Sequence, residues 1–382
     1  MANGSSLKTS YGWRQFLFDV HLWLGLGSGL VVSILCFTGA YLAFQPAVEN
    51  WLNRDLYRRA SEQPTLSVEE LLVKVRQNGD DYTGLEIPTD PSRPWSLLKG
   101  RRSVLVEPAT GALMAEPRPF LDGSFRFCFR LHRWLLVEQS IGRAITGAAT
   151  LIFVLILLTG VVLWFQKTAK SRRRGLMLRW KVSWKRLNYD SHLVLGLYAA
   201  IPLTVMAVSG LFWSYRGPFV ATTYRVLDGT SPPSPEKRSE KSEDGATNYD
   251  LPYQTVRDYF EGRHPEPGKL RINFPRVGEA TFAVVKHREA GLGALPVRDE
   301  VHFRTGDGVV EKEELFENKS RAEKTLSLIK VIHTGEFYGS FSLIVYIVCS
   351  LIGALLPISG TIMWWYRTKG RPFARGPKET RR

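Results

Sequence analysis

The strongest constraint on this chain is a set of four stretches without a formal charge. Residues 22–45, 144–165, 193–214 and 337–366 contain no Asp, Glu, Lys or Arg, and each is at least 22 residues long. A helix needs about 20 apolar residues to cross the roughly 30 Å hydrocarbon layer of a bilayer. Within that layer every backbone N–H and C=O must be satisfied inside the segment, so each run is expected to be a helix. The expected class is an α-helical membrane protein with four transmembrane helices seated in a lipid bilayer.

The order reads as an N-terminal segment (1–15), a helix (16–45), a long outer segment (46–130), a helix (131–166), a basic connector (167–190), a helix (191–215), a second outer segment (216–332), a helix (333–366) and a basic tail (367–382). Only Lys8 and Arg14 precede the first run. A signal peptide is the rival reading. The run exceeds the usual apolar region of about 7–15 residues and no A-x-A site follows, which favours an uncleaved anchor.

The connector from Lys167 to Arg186 carries nine Lys/Arg and the tail from Arg367 carries seven. Short basic segments beside helix ends stay in the cytoplasm. Both termini and the connector are expected there, with the outer segments on the opposite side. The net charge of +15 is largely this orientation signal, and no nucleic-acid partner is expected. The three cysteines, Cys36, Cys128 and Cys349, form no C-x-x-C pair, which excludes a thiol redox or zinc motif.

The chain repeats itself. Asp19-Val-His21-Leu-Trp-Leu-Gly25 returns 171 residues later as Asp190-Ser-His192-Leu-Val-Leu-Gly196. Thr38-Gly39 and Ser209-Gly210 end 18 residues after the two histidines. A looser pair follows. Leu131-His132-Arg-Trp134 leads to Thr159-Gly160 and Trp164; Ile332-His333-Thr-Gly335 leads to Ser359-Gly360 and Trp364. Helix, outer segment and helix thus occur twice from the same side, as two parallel repeats about an axis along the membrane normal.

Each outer segment is expected to be a small α+β periplasmic domain. In the first, Ser67 and Glu70 fit a capping box on a short helix, followed by strands at 82–87, 95–99 and 101–108. In the second, a linker (229–246) precedes a helix at 253–260 and strands at 269–274, 280–286 and 300–304, a diverged copy of the first.

One histidine at a membrane helix end has an ordinary role, bonding a carbonyl or a lipid. Four of them, one per helix in a duplicated frame, point to ligation. Positions i and i+4 are neighbours on a helix. Gly25 and Gly196 therefore leave flat room beside His21 and His192 for a macrocycle. The rival reading is that Gly25 and Gly29 form a G-x-x-x-G contact between helices; both can hold. Equal depth pairs His21 with His192 and His132 with His333. Two imidazoles per iron make an electron carrier rather than an oxygen binder. No C-x-x-C-H attachment motif exists, so the expectation is two haem b with these four axial ligands. Arg126, Arg130 and Arg133 precede helix 2, where they meet lipid headgroups or pair with haem propionates. His264, His287 and His302 read as surface or structural. Asp19 and Asp190 read as helix caps.

These histidine–glycine frames, Leu131-His132-Arg-Trp134, Ile332-His333-Thr-Gly335 and the Thr/Ser-Gly pairs resemble the PepSY-associated transmembrane family over about residues 12–366, and 67–111 resembles the small PepSY-type domain. Members are bacterial inner-membrane proteins, and length and layout are most similar to the ferrioxamine-reductase members. The resemblance implies haem ligation at His21, His132, His192 and His333, and periplasmic iron release from a ferric siderophore. The competing functions are a siderophore or metal permease and a haem-containing sensor or assembly partner. Ion pathways usually carry charged groups within the membrane, and the four runs have none. The cytoplasmic segments are too short for a flavin or nicotinamide domain, so the electron donor is expected to be separate, a quinol or a cytoplasmic reductase.

Overall fold

The computed structural model describes residues 12–57, 64–77, 79–100, 102–114, 119–165, 175–234, 246–288 and 295–369. Residues 1–11, much of the basic connector, the middle of the 229–246 linker and the tail beyond Lys369 lie outside the described residues. The helices are α1 (Trp13–Ala43), α2 (Gln45–Leu52), α3 (Val68–Arg76), α4 (Pro119–Trp134), α5 (Gln139–Phe165), α6 (Trp184–Ser214), α7 (Arg216–Leu227), α8 (Tyr253–Arg263), α9 (Arg321–Thr334) and α10 (Gly339–Lys369). The chain divides into two compact units.

The first unit holds α1, the end of α4, α5, α6 and most of α10. Four helical stretches among the described residues are long and apolar enough to cross a membrane: Trp13–Leu52, Gln139–Phe165, Trp184–Ser214 and Glu336–Lys369. Their outward faces carry bare apolar side chains such as Leu30, Ile201 and Leu355, while Val32, Phe153, Leu157, Ala199, Leu203, Ala207 and Cys349 form the interior. Small residues bring the backbones together, as expected where lipid removes the hydrophobic driving force between helices. A Cβ on Gly29 would lie 3.0 Å from Pro357 Cβ, and one on Gly353 would lie 2.9 Å from Leu203. Pro357 has no N–H for the helix ladder. One turn away the Ser33 hydroxyl donates to Ala354 O at 2.9 Å, tying α1 to α10.

Two expected helices are broken. The span drawn at 131–166 stops at Trp134, where Leu135 and Leu136 adopt φ of 52° and 60°, and resumes at Gln139. L-residues rarely hold that region. The two helices meet closely at this break: a Cβ on Gly142 would sit 2.3 Å from Trp134 O. The span drawn at 333–366 is likewise split at Gly335, left-handed at φ 81°. His132 and His333 thus close the helices that precede the spans rather than opening the spans themselves.

The second unit corrects the expectation of two separate α+β domains. Strands β1 (Gly84–Ile87), β2 (Trp95–Lys99), β3 (Arg102–Val106), β4 (Gly268–Asn273), β5 (Thr281–Arg288), β6 (Arg298–Arg304) and β7 (Val310–Glu314) form one antiparallel sheet in the order β3-β2-β1-β4-β5-β6-β7. β1 from the first segment pairs with β4 from the second, Leu85 opposite Ile272. Each would otherwise present an unpaired edge. The join makes one core, with Leu71, Leu72 and Val75 of α3, Val256 and Phe260 of α8, and Leu85, Leu97, Ile272, Val284, Val301 and Phe303 of the sheet. β7 was not expected, because Glu311-Lys312-Glu313-Glu314 lacks apolar alternation; it is an edge strand, where charge is tolerated. The capping box of Ser67 and Glu70 is present, and Ser320 with Glu323 makes a second one on α9.

Phe303 is fully buried in this core. Phe303→Ala is expected to cost about 3–5 kcal/mol, read as a lower midpoint of loss of near-ultraviolet circular dichroism on heating.

Candidate cofactor site

At one end of the helical unit lies a cavity of about 870 Å³, lined by α1, α5, α6 and α10. Cofactor sites are commonly about 300–1,000 Å³ and mostly apolar. His21 and His192 both line it. Their ring centroids are 6.4 Å apart and their planes are at 89°. Gly25 and Gly196 line the same walls. A Cβ on Gly25 would meet nothing within 4 Å, and one on Gly196 would only touch Leu356 at 3.5 Å. The two readings of the glycine pattern therefore divide between its members: Gly25 opens space and Gly29 packs a helix.

The imidazoles are oriented through Nδ1. His21 Nδ1 lies 3.1 Å from Ile156 O and 3.1 Å from Thr159 Oγ1. The Thr159 hydroxyl already donates to Leu155 O at 2.8 Å, so toward the imidazole it can only accept. A carbonyl can only accept. Nδ1 of neutral His21 therefore carries the proton and Nε2 carries the lone pair. His132 repeats the arrangement against α1: its Nδ1 is 3.0 Å from Leu35 O and 3.1 Å from Thr38 Oγ1, whose proton goes to Ile34 O at 2.6 Å. His192 Nδ1 is 2.8 Å from Ser359 Oγ, and that hydroxyl donates to Leu356 O at 2.8 Å. In each case the glycine after the hydroxyl makes room for the ring. A Cβ would stand 3.0 Å from His21 Cε1 at Gly160, 3.2 Å from His132 Cε1 at Gly39 and 3.4 Å from His192 Cε1 at Gly360.

The Thr/Ser-Gly pairs were visible in the sequence as markers of the repeat, but their role was not. Thr38-Gly39, Thr159-Gly160 and Ser359-Gly360 each supply the acceptor and the clearance for a histidine on another helix. His333 is on the last turn of α9, in the second unit; Ser209-Gly210 is the remaining pair of the sequence repeat. Arg126, Arg130 and Arg133 are all on α4. Arg126 and Arg130 are exposed, while Arg133 is half-buried with its guanidinium 5.7 Å from the Phe129 ring and 5.5 Å from Trp134. Trp164, Trp364, Arg14 and Arg367 also line the cavity and were not singled out for it.

Asp19 and Asp190 do not cap helices. α1 and α6 begin at Trp13 and Trp184, upstream of both, because the polar turns before the histidines are already helical. Asp19 accepts from Gln15 Nε2 at 2.9 Å. Asp190 is buried between Arg179 and Arg186, each at 2.9 Å. In the other unit His264 ends α8, His302 lies 3.5 Å from Glu300, and His287 is half-buried on β5. Burial, followed by the Lys269 and Arg298 cations, holds the His287 pKa below its ordinary value. No group of three or more His, Cys, Asp or Glu among the described residues could hold a bare metal ion.

Four apolar helical stretches and an internal, histidine-lined cavity define a multi-pass helical membrane protein. The chain belongs to the PepSY-associated TM region family, whose model matches residues 18–367. No curated protein matches the chain.

Gly160→Ala places a methyl 3.0 Å from His21 Cε1, whereas Gly27→Ala meets open space. Overpacking of this kind costs about 1–3 kcal/mol. Thermal unfolding in detergent is expected to show a lowered midpoint for Gly160→Ala and none for Gly27→Ala.

Proposed function

We propose that the protein is a di-haem transmembrane electron carrier of the inner membrane that reduces a ferric siderophore on the periplasmic side. The observation that carries this reading is the anchoring of Nδ1 on three of the four histidines. A metal-binding imidazole commonly donates its other ring N–H to a carbonyl or similar acceptor, which fixes the tautomer and turns Nε2 toward the metal. The residues present fit a haem. One metal ion shared by two imidazoles through bonds of about 2.0–2.1 Å would put the ring centroids roughly 6 Å apart; those of His21 and His192 are 6.4 Å apart. The open faces of Gly25 and Gly196 leave room for a flat ligand among largely apolar walls.

Haem bound to two histidines supplies one-electron carriage without an open position for oxygen. The chain's own residues then have limited work: His21 and His192 hold one group, and His132 and His333 are proposed to hold the other. Thr38, Thr159 and Ser359 keep the rings in register. In the net reaction one electron from a separate donor, a quinol or a cytoplasmic reductase, converts chelated ferric iron to ferrous iron. Hard oxygen chelators hold the ferrous ion weakly, which releases it, and no protein acid, base or nucleophile is required. Basic segments beside the helix ends support cytoplasmic termini. The ferrioxamine type of siderophore remains the substrate class suggested by the family resemblance.

The purified protein is expected to give two b-type haems per chain in a pyridine haemochrome assay. His21→Ala or His192→Ala should remove one haem, and His132→Ala or His333→Ala the other. Loss of neither haem from a His21→Ala/His132→Ala double variant overturns the ligand assignment. Adding a ferric siderophore to the reduced protein should reoxidise it; a permease or a sensor would leave its spectrum unchanged.

A further inference from the structure

Along the cavity, the side chains are layered. His21 and His192 form the inner layer. Trp164 and Trp364 follow their glycines, Gly160 and Gly360, by four residues, and Arg367 follows Gly360 by seven; Arg14 precedes His21 by seven. A helix rises about 1.5 Å per residue, so the tryptophans stand one turn beyond the histidine level and the arginines two turns beyond it. All six residues line the one cavity. Its deep walls are Leu22, Leu26, Val32, Phe153 and Leu157, while Arg14 and Arg367 line its outer end. Arg367 is held over the Phe18 ring at 5.0 Å, which fixes that charge beside the opening.

Trp164 is only 8% exposed, and its indole Nε1 is buried without a hydrogen-bond partner, sealed from the cavity that the residue lines. The indole therefore serves the cavity as an apolar wall. The cavity therefore asks for a flat apolar body with anionic oxygens at one edge.

We propose that Arg14 and Arg367 bind the carboxylates of the cavity's occupant. Resting on the haem reading, this assigns the propionate edge of the haem to the open end of the cavity. Guanidinium groups pair with carboxylates in forked geometry. A cation beside the propionates also favours the reduced haem, which carries one more negative charge than the oxidised haem. The rival occupant of the same arginines is a lipid phosphate, which would leave the haem indifferent to them.

The test is a redox titration of the purified holoprotein and of Arg14→Gln, Arg367→Gln and Arg14→Lys. The component that disappears in His21→Ala identifies the cavity haem. Each Gln variant should lower that component's midpoint, shifting its ferric-to-ferrous ratio at a fixed potential about tenfold toward ferric, or about 59 mV for one electron. Arg14→Lys should recover most of the shift, and the other component should not move. In a second measurement, haemin and its dimethyl ester are titrated into haem-depleted protein. The wild type should bind haemin at least tenfold more tightly at this site, and Arg14→Gln/Arg367→Gln should lose that preference. Haem present with unmoved midpoints and no preference over the ester overturns the proposal and leaves the arginines to lipid. Absence of haem from the wild type overturns the underlying reading instead.

Discussion

The site depends on one hydrogen-bond arrangement: a histidine Nδ1–H held by a hydroxyl that has already spent its own proton. An imidazole can present either nitrogen, and its neighbours determine which. At His21 and His132 a backbone carbonyl and a threonine oxygen share Nδ1, and at His192 a serine oxygen does so. The three hydroxyls lie within donating distance of carbonyls of their own helices, and at His21 and His132 the carbonyl beside Nδ1, which can only accept, places the proton on that nitrogen. Glycines 39, 160 and 360 then let the ring edge approach the helix carrying the hydroxyl. Each histidine is thereby locked to a different helix from its own, and bundle packing and ring orientation become one problem.

The membrane explains why that solution suits this chain. In hydrocarbon a hydroxyl must be satisfied within the protein, and the nearest acceptor is the carbonyl four residues back. Thr38, Thr159 and Ser209 all bond in this way, to Ile34, Leu155 and Val205. The bond leaves an oxygen lone pair exposed on the helix surface at no further cost. A membrane helix that needs a hydrogen-bond acceptor at a fixed height can obtain one from a Thr or Ser, without a charge that would oppose insertion. This accounts for a site built of histidine, hydroxyl and glycine inside runs free of Asp, Glu, Lys and Arg.

The spans were legible because hydrocarbon thickness and the absence of charge act over twenty residues at once. The meeting of His21 and His192 in one cavity was legible too, through equal depth and a repeated frame. The helix break after Trp134 was not, because Leu135 and Leu136, which hold the left-handed backbone there, are residue types that carry no turn signal. Asp190 was misread as a cap because a local rule cannot see Arg179, eleven residues upstream, folding back to it. Strand pairing between β1 and β4 joins residues nearly two hundred positions apart, and no local pattern in either segment announces a partner at that distance. Trp164 was quoted only as a landmark; its buried, unpaired nitrogen is a property of packing.

The shared sheet bears on the choice between carrying electrons and carrying a solute. Four residue pairs join β1 to β4, from Gly84 with Asn273 to Ile87 with Leu270. On the other face of the sheet Glu86 meets Lys269 at 2.8 Å and Arg271 at 3.8 Å across the same seam. Beneath it, residues from both segments fill a single core. Alternating access in transporters with repeats generally rocks one repeat against the other. Such a motion would have to shear a ladder and a core that belong to both segments. Electron carriage asks for the opposite property, fixed groups at fixed separations with water excluded. A seam of backbone hydrogen bonds between the two outer segments, and histidines pinned between helices, favour a protein that works without moving its repeats apart.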